Sequence, residues 1–453
     1  MPSARNRAAH NSSLAQKHRR GSRSASARCP IATTGEAFAN GTIIELLQDA
    51  ANPQRLSLIL RRDDRTTTGR VIEHNGQLYQ PAPLDATILR AITLPTGIAP
   101  YGSARELIHG IAQEISRYTA LPERFVSQVS WSFLSTWFVD VTETAPSLCI
   151  LGSDTIAGNQ LFRLSAALCR RPLLLSAARF SGVCSLPTGL QPTLLIREAR
   201  FDRDMLRLLS AAHKLGEYVP RGGGLVELHS PVITLSEFGA EDLPARIILK
   251  IPVIEGQSPA LRLGSESFEK IKNFFQPLLL AFRLENRGKV LHSQFDAPLL
   301  ADPVREVARC LGACTPDDAE LQAELLKLLQ STNAEYLSAK SADFRIVVVE
   351  CLLYCSHERP GGEVFVGEVA EKVQTILVSG GDLIAVTPRR VGKIIDNLGL
   401  QTEPRNKRGY RVLLTQAVCR RIHELARQFG LLPFADGVER CKLCRSDARA
   451  DGV

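Results

Sequence analysis

The sequence predicts an α/β protein, with a parallel sheet covered by helices in mid-chain and a smaller helical unit with a hairpin near the C-terminus. Three observations carry this. From Ser147 to Val253, buried strand-like runs alternate with helical ones, as in sheets whose strands are joined by crossover helices. The first run, Leu148–Leu151, enters a glycine-bearing loop that opens a helix with apolar residues at Leu161, Leu164 and Leu168. Residues 340–432 then read as helix, strand, helix, helix and hairpin, the order of a winged helix-turn-helix.

The 453 residues suffice for two or three domains with their own cores, and a hydrophobic content of 44% fits an ordinary globular chain. No uninterrupted apolar run reaches the length of a membrane span, since Pro277 and charged residues interrupt the best candidate, Phe274 to Phe282. The sequence therefore predicts no membrane association and a cytoplasmic location. Eleven scattered cysteines, several in apolar segments (Cys149, Cys169, Cys351), fit reduced, buried thiols rather than a disulfide framework.

The net charge of +8 is concentrated at one end. Residues 1–35 hold seven Lys or Arg and no acid; without those seven, the 55 basic side chains become 48 against 47 acidic. Any nucleic-acid site in the folded body must then be a local patch. With no periodicity, residues 1–35 read as a disordered basic tail. Its composition fits a nucleic-acid-binding arm, a transit peptide or an idle extension.

Residues 36–100 read as a small β-rich module, with strands at Leu56–Leu60 and a hairpin from Val71 to Gln80 about an Asn75-Gly76 turn. Residues 101–335 begin with a helix capped by Ser103 and a second carrying Val126 to Phe138 with both tryptophans, an aromatic cluster that reads as core. The expected sheet strands are Leu148–Leu151, Leu173–Leu175, Thr193–Ile196, Val232–Leu235 and Ile247–Val253, with helices near 158–170 and 202–215. Gly222-Gly223-Gly224 reads as a turn, or as a loop that meets substrate or DNA. Helices follow at Ser265–Leu284, Pro303–Leu311 and Ala319–Leu329.

In 340–432 the expected elements are a helix from Phe344 to Cys355, a strand at Val364–Val366 and a helix from Gly367 to Val378. A helix capped by Thr387 and two strands, Leu400–Thr402 and Tyr410–Leu414, complete the unit. Residues 433–453 read as a second disordered tail.

A phosphate-binding loop needs Gly, four residues, Gly, then Lys and Ser or Thr, so that backbone amides and cations together offset phosphate charge. Here Gly152 is in place, but the second glycine, Gly158, comes one residue late. Asn159 stands for the Lys and Gln160 for the Mg²⁺-binding hydroxyl. In Gln191-Pro-Thr-Leu-Leu-Ile-Arg-Glu198 an apolar strand ends where a nucleotide hydrolase places Asp-Glu, with Arg197 for the Asp and Glu198 in the second place. Arg246 opens a later strand, at the usual place of a phosphate-sensing arginine.

These segments resemble the helicase-like domain of phage and mobile-element primase–helicase proteins. The resemblance rests on Thr136-Trp-Phe138 before the first strand, the loop at Gly152, the strand ending at Glu198 and Leu243-Pro before Arg246, and covers about residues 103–430. It implies a P-loop (RecA- or AAA-like) core and nucleotide-driven work on DNA.

The departures imply loss of Mg²⁺-dependent hydrolysis. A missing Lys removes a charge-assisted bond of about 1.5–3 kcal/mol. A cation at Arg197 repels Mg²⁺ by about 3 kcal/mol per unit charge at ~5 Å with an effective dielectric of ~20. Weak ATP binding through helix-start amides, or with Arg197 against phosphate, stays open.

The other chemistry is basic. Residues 385–411 carry seven Lys or Arg against two acids. Thr387, Arg389, Arg390 and Lys393 fall at the start of the expected recognition helix, and Arg405, Lys407 and Arg408 at the wing, where DNA contacts are made. Cys441-Lys-Leu-Cys444, with Cys419 and His423 upstream, offers four candidate Zn²⁺ ligands, but the spacing matches no common finger and no metal is expected.

The leading expectation is a catalytically degenerate helicase-like protein that binds DNA as an adaptor. An active ATPase with a divergent site and a protein–protein scaffold without nucleotide or DNA are the alternatives.

Overall fold

The computed structural model describes residues 29–152, 155–176, 178–187, 189–197, 202–221, 224–236, 248–253, 261–341, 344–379, 386–404, 409–431 and 441. Two compact units emerge: residues through Leu46 with Leu56–Pro83, and Leu47–Arg55 with the chain from Leu84 onward.

The first unit contains two sheets. Strands β2 (Gly35–Ala37), β3 (Ile43–Gln48), β4 (Leu56–Arg62) and β5 (Arg65–Gly69) lie in sequential order, while β1 (Ile31–Thr33), β6 (Ile72–His74) and β7 (Gln77–Pro81) form the second sheet in the order β1-β7-β6. Ile44, Leu58 and Ile59 fill its core. The expected hairpin is β6–β7, and both turn residues, Asn75 (φ 51°) and Gly76 (φ 73°), take the left-handed conformation that a two-residue hairpin loop requires. Residues 31–35, expected in the disordered tail, instead form β1 and the start of β2. Residues 1–28 of the expected tail lie outside the described residues. In β1, Ile31 and Ala32 are exposed, so no alternating apolar pattern marks the strand in sequence.

The second unit opens with the short helix α1 (Ala86–Ala91). Helix α2 (Ala104–Tyr118) follows, its start fixed by Ser103 Oγ accepting from the Glu106 amide at 3.1 Å. Helix α3 (Glu123–Ser135) stops before the tryptophan pair is complete, and Thr136–Phe138 form a single 3₁₀ turn. Trp137 is buried and its Nε1 donates to the Leu168 carbonyl at 2.9 Å, which confirms the aromatic cluster as core.

The main sheet has five strands: β8 (Leu148–Leu151), β9 (Pro172–Leu175), β10 (Thr193–Ile196), β13 (Val232–Ser236) and β14 (Leu249–Pro252). Their order is β14-β8-β13-β10-β9 and every pairing is parallel. β8, β10 and β13 are buried along their whole length, which is why they read as continuous apolar runs. Between strands lie α4 (Ile156–Leu168), the short α5 (Phe180–Val183), α6 (Arg203–His213) and a hairpin of β11 (Tyr218–Arg221) with β12 (Gly224–Glu227). Gly224, read as part of a glycine turn, is thus a strand residue paired with Arg221.

Helices α7 (Ser265–Leu291), α8 (Asp302–Ala313) and α9 (Ala319–Ser341) complete this part of the unit. α7 runs one to two turns beyond the expected end at Leu284, because Asn286 and Val290 continue its buried face. It is pinned to the 3₁₀ turn by buried Arg283, whose Nη1 donates to the Trp137 carbonyl at 2.5 Å and to Asp140 Oδ1 at 2.6 Å. Arg287 Nε reaches Asp140 Oδ2 at 2.7 Å.

The chain then forms α10 (Phe344–Glu358), β15 (Glu363–Phe365), α11 (Val366–Ser379), α12 (Pro388–Asn397), β16 (Glu403–Pro404), β17 (Tyr410–Leu413) and α13 (Gln416–Gln428), with a small antiparallel sheet in the order β15-β17-β16. Its core draws on Leu352, Val369, Val373, Val391, Ile395, Val412 and Ile422. Leu400–Thr402, expected as a strand, instead ends α12: the Leu400 amide reaches back to the Ile395 carbonyl at 3.1 Å and the Gly399 amide to Asp396 at 3.0 Å. The strand begins only at Glu403. Among the described residues no helix is long and apolar enough to cross a membrane, and the described cysteines are free.

Candidate functional site

The connection leaving β8 runs toward β9 at one edge of the sheet, while the connection leaving β13 crosses to β14 on the other side of β8. β8 and β13 therefore flank a topological switch point, where open α/β sheets place ligands beyond the carboxyl ends of their strands. Gly152 lies there, its amide donating to the Ser236 carbonyl at 2.9 Å.

Beyond Gly152 the backbone is short. Only residues 152–154 separate the end of β8 from Thr155, the N-cap of α4. Thr155 Oγ1 donates to the Gly152 carbonyl at 2.7 Å and accepts from the Gly158 amide at 2.9 Å. The cap thus ties Gly152 to the helix start and uses an amide that would otherwise face an anion. Gly158, read as the second glycine of the loop, lies within the first turn of α4. Its lack of a side chain has a packing reason: a Cβ there would overlap the Gly152 carbonyl oxygen and come within 2.8 Å of Thr155 Oγ1. Gly152 itself has φ 120°, and a Cβ would lie 3.1 Å from Val253.

Asn159 and Arg197, the two residues expected from the sequence at cation-handling positions, meet. Arg197 Nη1 donates to Asn159 Oδ1 at 2.5 Å, and Asn159 Nδ2 donates to the Thr155 carbonyl at 2.9 Å. The Arg197 guanidinium also lies 5.3 Å from the centre of the Phe162 ring. Gln160 does not join them. Buried, it donates through Nε2 to the Tyr118 and Leu261 carbonyls at 2.5 and 3.1 Å and accepts from the Leu263 amide at 2.6 Å. Glu198 and Arg246 lie outside the described residues.

In the C-terminal part, Thr387 caps α12, with Oγ1 accepting from the Arg390 amide at 3.4 Å. Val391 and Ile395 face the core, which leaves Arg389, Arg390 and Lys393 exposed on the other side. The Arg390 guanidinium lies 4.5 Å from the centre of the Phe344 ring of α10. No acid occupies the first turn of α12. Cations there oppose the helix dipole at a cost of about 0.3–1 kcal/mol each, a cost that an anion at the helix start relieves. Arg411, counted in the same basic stretch, is engaged elsewhere: it pairs with Glu363, and with Glu403 at 3.4 Å, across the small sheet. Arg405, Lys407 and Arg408 lie outside the described residues.

A second cluster forms on residues that the sequence only half identified. His423 Nε2 lies 3.1 Å from His357 Nε2 and 3.4 Å from Cys441 Sγ. Cys419 contributes its carbonyl rather than its sulfur, accepting from His423 Nδ1 at 2.7 Å while its thiol turns toward the Leu414 carbonyl. Burial, and then the neighbouring His423, lowers the pKa of His357. Cys444 lies outside the described residues. His357 was not among the expected ligands, because nothing in its local sequence connects it to a residue 66 positions away; only the packing of α10 on α13 does.

No protein-family model and no curated protein matches the sequence. Among solved structures, the full-length MCM homolog from Methanopyrus kandleri is similar at 12% identity and a TM-score of 0.33, over 64% of this chain and 78% of that one. The apo C-terminal region of NrS-1 is similar at 12% identity and a TM-score of 0.31, over 82% and 96%. Drosophila ORC bound to DNA is similar at 14% identity and a TM-score of 0.17, over 79% and 96%. The chain's own sheet is an α/β architecture of five parallel strands, consistent with a P-loop-like fold.

Proposed function

We propose that this chain is a helicase-like protein of replication or mobile-element type whose nucleotide site has lost its cation handling, and that it works as a DNA-binding adaptor. The reading takes residues 344–428 as a winged helix with α12 as its recognition helix. The observation that carries it is the exposed, acid-free start of α12, where Arg389 and Arg390 oppose the helix dipole and Lys393 follows one turn on. A phosphate backbone is the anion that suits this arrangement.

The β8 loop supports the non-catalytic half of the reading. With the loop closed by Thr155 and Arg197 bonded to Asn159, the site offers neither a phosphate-binding Lys nor a carboxylate for Mg²⁺ at the two positions that need them. Salt-titrated binding of a fluorescent duplex by the full chain tests the proposal. A steep fall of affinity with salt is expected, together with ATP turnover at background whether or not DNA is present. Salt-independent or absent duplex binding would remove the adaptor reading, and DNA-stimulated turnover would restore the active-ATPase alternative.

A further inference from the structure

We infer that His357, His423 and Cys441 form a zinc site that fastens the C-terminal segment to helices α10 and α13. Their ligand atoms all lie within 4.8 Å of one another. Tetrahedral Zn²⁺ with bonds of about 2.0–2.1 Å to nitrogen and about 2.3 Å to sulfur requires its ligands to be about 3.3 Å apart for two nitrogens and about 3.6 Å apart for nitrogen and sulfur. The two Nε2 atoms stand 3.1 Å apart, and Cys441 Sγ stands 3.4 Å from His423 Nε2. Two of the three donor pairs are therefore already at ligand spacing, within a few tenths of an ångström, and the third pair lies within 4.8 Å.

The hydrogen bonding around His423 agrees. Its Nδ1 faces the Cys419 carbonyl at 2.7 Å, and a carbonyl only accepts, so Nδ1 carries the proton. In the neutral ring the lone pair then sits on Nε2, which points at His357 and Cys441. A histidine oriented by a backbone carbonyl through its far nitrogen is the usual support for a metal ligand. His423 is buried while His357 and Cys441 are partly open, so the site is enclosed yet reachable by an ion.

The donor set of two imidazoles and a thiolate suits Zn²⁺ among common ions, whereas Mg²⁺ and Ca²⁺ take oxygen. The C-x-x-C spacing of Cys441 and Cys444 is that of paired zinc thiolates, a sequence feature independent of the geometry. His357 lies in the last turn of α10 and His423 in the middle of α13, so an ion here links two helices to a residue beyond α13. The inference does not rest on DNA binding.

The test uses the full-length chain, dialysed against metal-free buffer and analysed for metal by mass spectrometry. About one Zn²⁺ per chain is expected in the wild type, with background metal in both His423→Ala and Cys441→Ser. Cys419→Ser should keep its zinc, since that sulfur points elsewhere. Should a variant fail to fold, Co²⁺ titration of the metal-free wild type decides: a thiolate-to-cobalt charge-transfer band is expected, displaced by one equivalent of Zn²⁺. Metal-free wild type with no cobalt band overturns the inference, as does a band that survives undiminished in Cys441→Ser.

Discussion

Arg197 Nη1 lies 2.5 Å from Asn159 Oδ1, so the two residues expected from the sequence at cation-handling positions are bonded to each other. Each departure from the phosphate-loop pattern is by itself a loss; together they form a replacement. A Lys in place of Asn159 would meet the Arg197 guanidinium, and an Asp in place of Arg197 would lose the Asn159 amide as its partner in the present arrangement.

Asn159→Lys should therefore destabilise the protein. Two cations about 4 Å apart repel by about 4 kcal/mol at an effective dielectric of ~20. Solvent screening at this half-buried site should leave about 1–2 kcal/mol. The double variant Asn159→Lys with Arg197→Asp should recover most of that loss, giving a coupling of opposite sign in a double-mutant cycle measured by urea unfolding. Additive effects would show that the contact does not link the two positions.

Gly158→Ala should cost more than an ordinary helix substitution. The new methyl would collide with the Gly152 carbonyl, a backbone atom that moves only if the loop moves, so a loss of about 1–3 kcal/mol is expected. Gly288→Ala, in α7 with open space around it, provides the contrast and should be neutral or stabilising by up to about 1 kcal/mol. Equal effects in chemical denaturation would mean that the closed loop is not a packing constraint.

Asp140 should give the protein an acid-sensitive joint. Burial alone would raise its pKa, but the Arg283 guanidinium, with Arg170 and Arg287, outweighs burial and holds the carboxyl well below the usual range. A depressed folded-state pKa means stability that is complete above the unfolded value near 4 and is lost as pH falls below it. Asp140→Asn should cost about 3–5 kcal/mol at neutral pH, by leaving Arg283 buried without its charge partner. It should also flatten the decline in stability below about pH 4, followed by thermal unfolding across pH.

Lys393→Ala and Arg389→Ala should each lower duplex affinity and reduce the slope of log affinity against log salt by about 0.9 per lost phosphate contact. Arg411→Ala should leave that slope unchanged and lower stability instead, because Arg411 is paired with Glu363 and Glu403. A salt slope altered by Arg411→Ala but not by Lys393→Ala would move the interface from the start of α12 to the small sheet.

Much of the architecture was legible because burial writes it into composition. β8, β10 and β13 are covered on both faces and so appear as unbroken apolar runs. Thr387 followed by Pro388, and Ser103 three residues before Glu106, marked helix starts through capping chemistry that is local to the chain. Two of the strands that were missed lack such marks. β1 has two exposed residues and β5 is a polar run of threonines, while the Leu400–Thr402 strand was misplaced because Leu400 bonds back into the helix end.

The site was legible only as a set of residue types. Sequence spacing set Gly158, Asn159 and Gln160 side by side at one expected phosphate site; the structure puts all three in α4 and sends Gln160 away to hold Tyr118, Leu261 and Leu263. A one-residue offset rotates a helical side chain by about 100°, so adjacent residues serve different neighbours.

By itself, then, the sequence determined the buried strands of the main sheet, the caps at Ser103 and Thr387 and the residue types at 159 and 197, since each depends on residue type and near neighbours. Tertiary structure alone decided that Asn159 meets Arg197 across 38 residues and that His357 meets His423 across 66. Such meetings depend on sheet order and helix packing, which are set by the burial of whole faces and leave no trace in the spacing of the residues that they bring together.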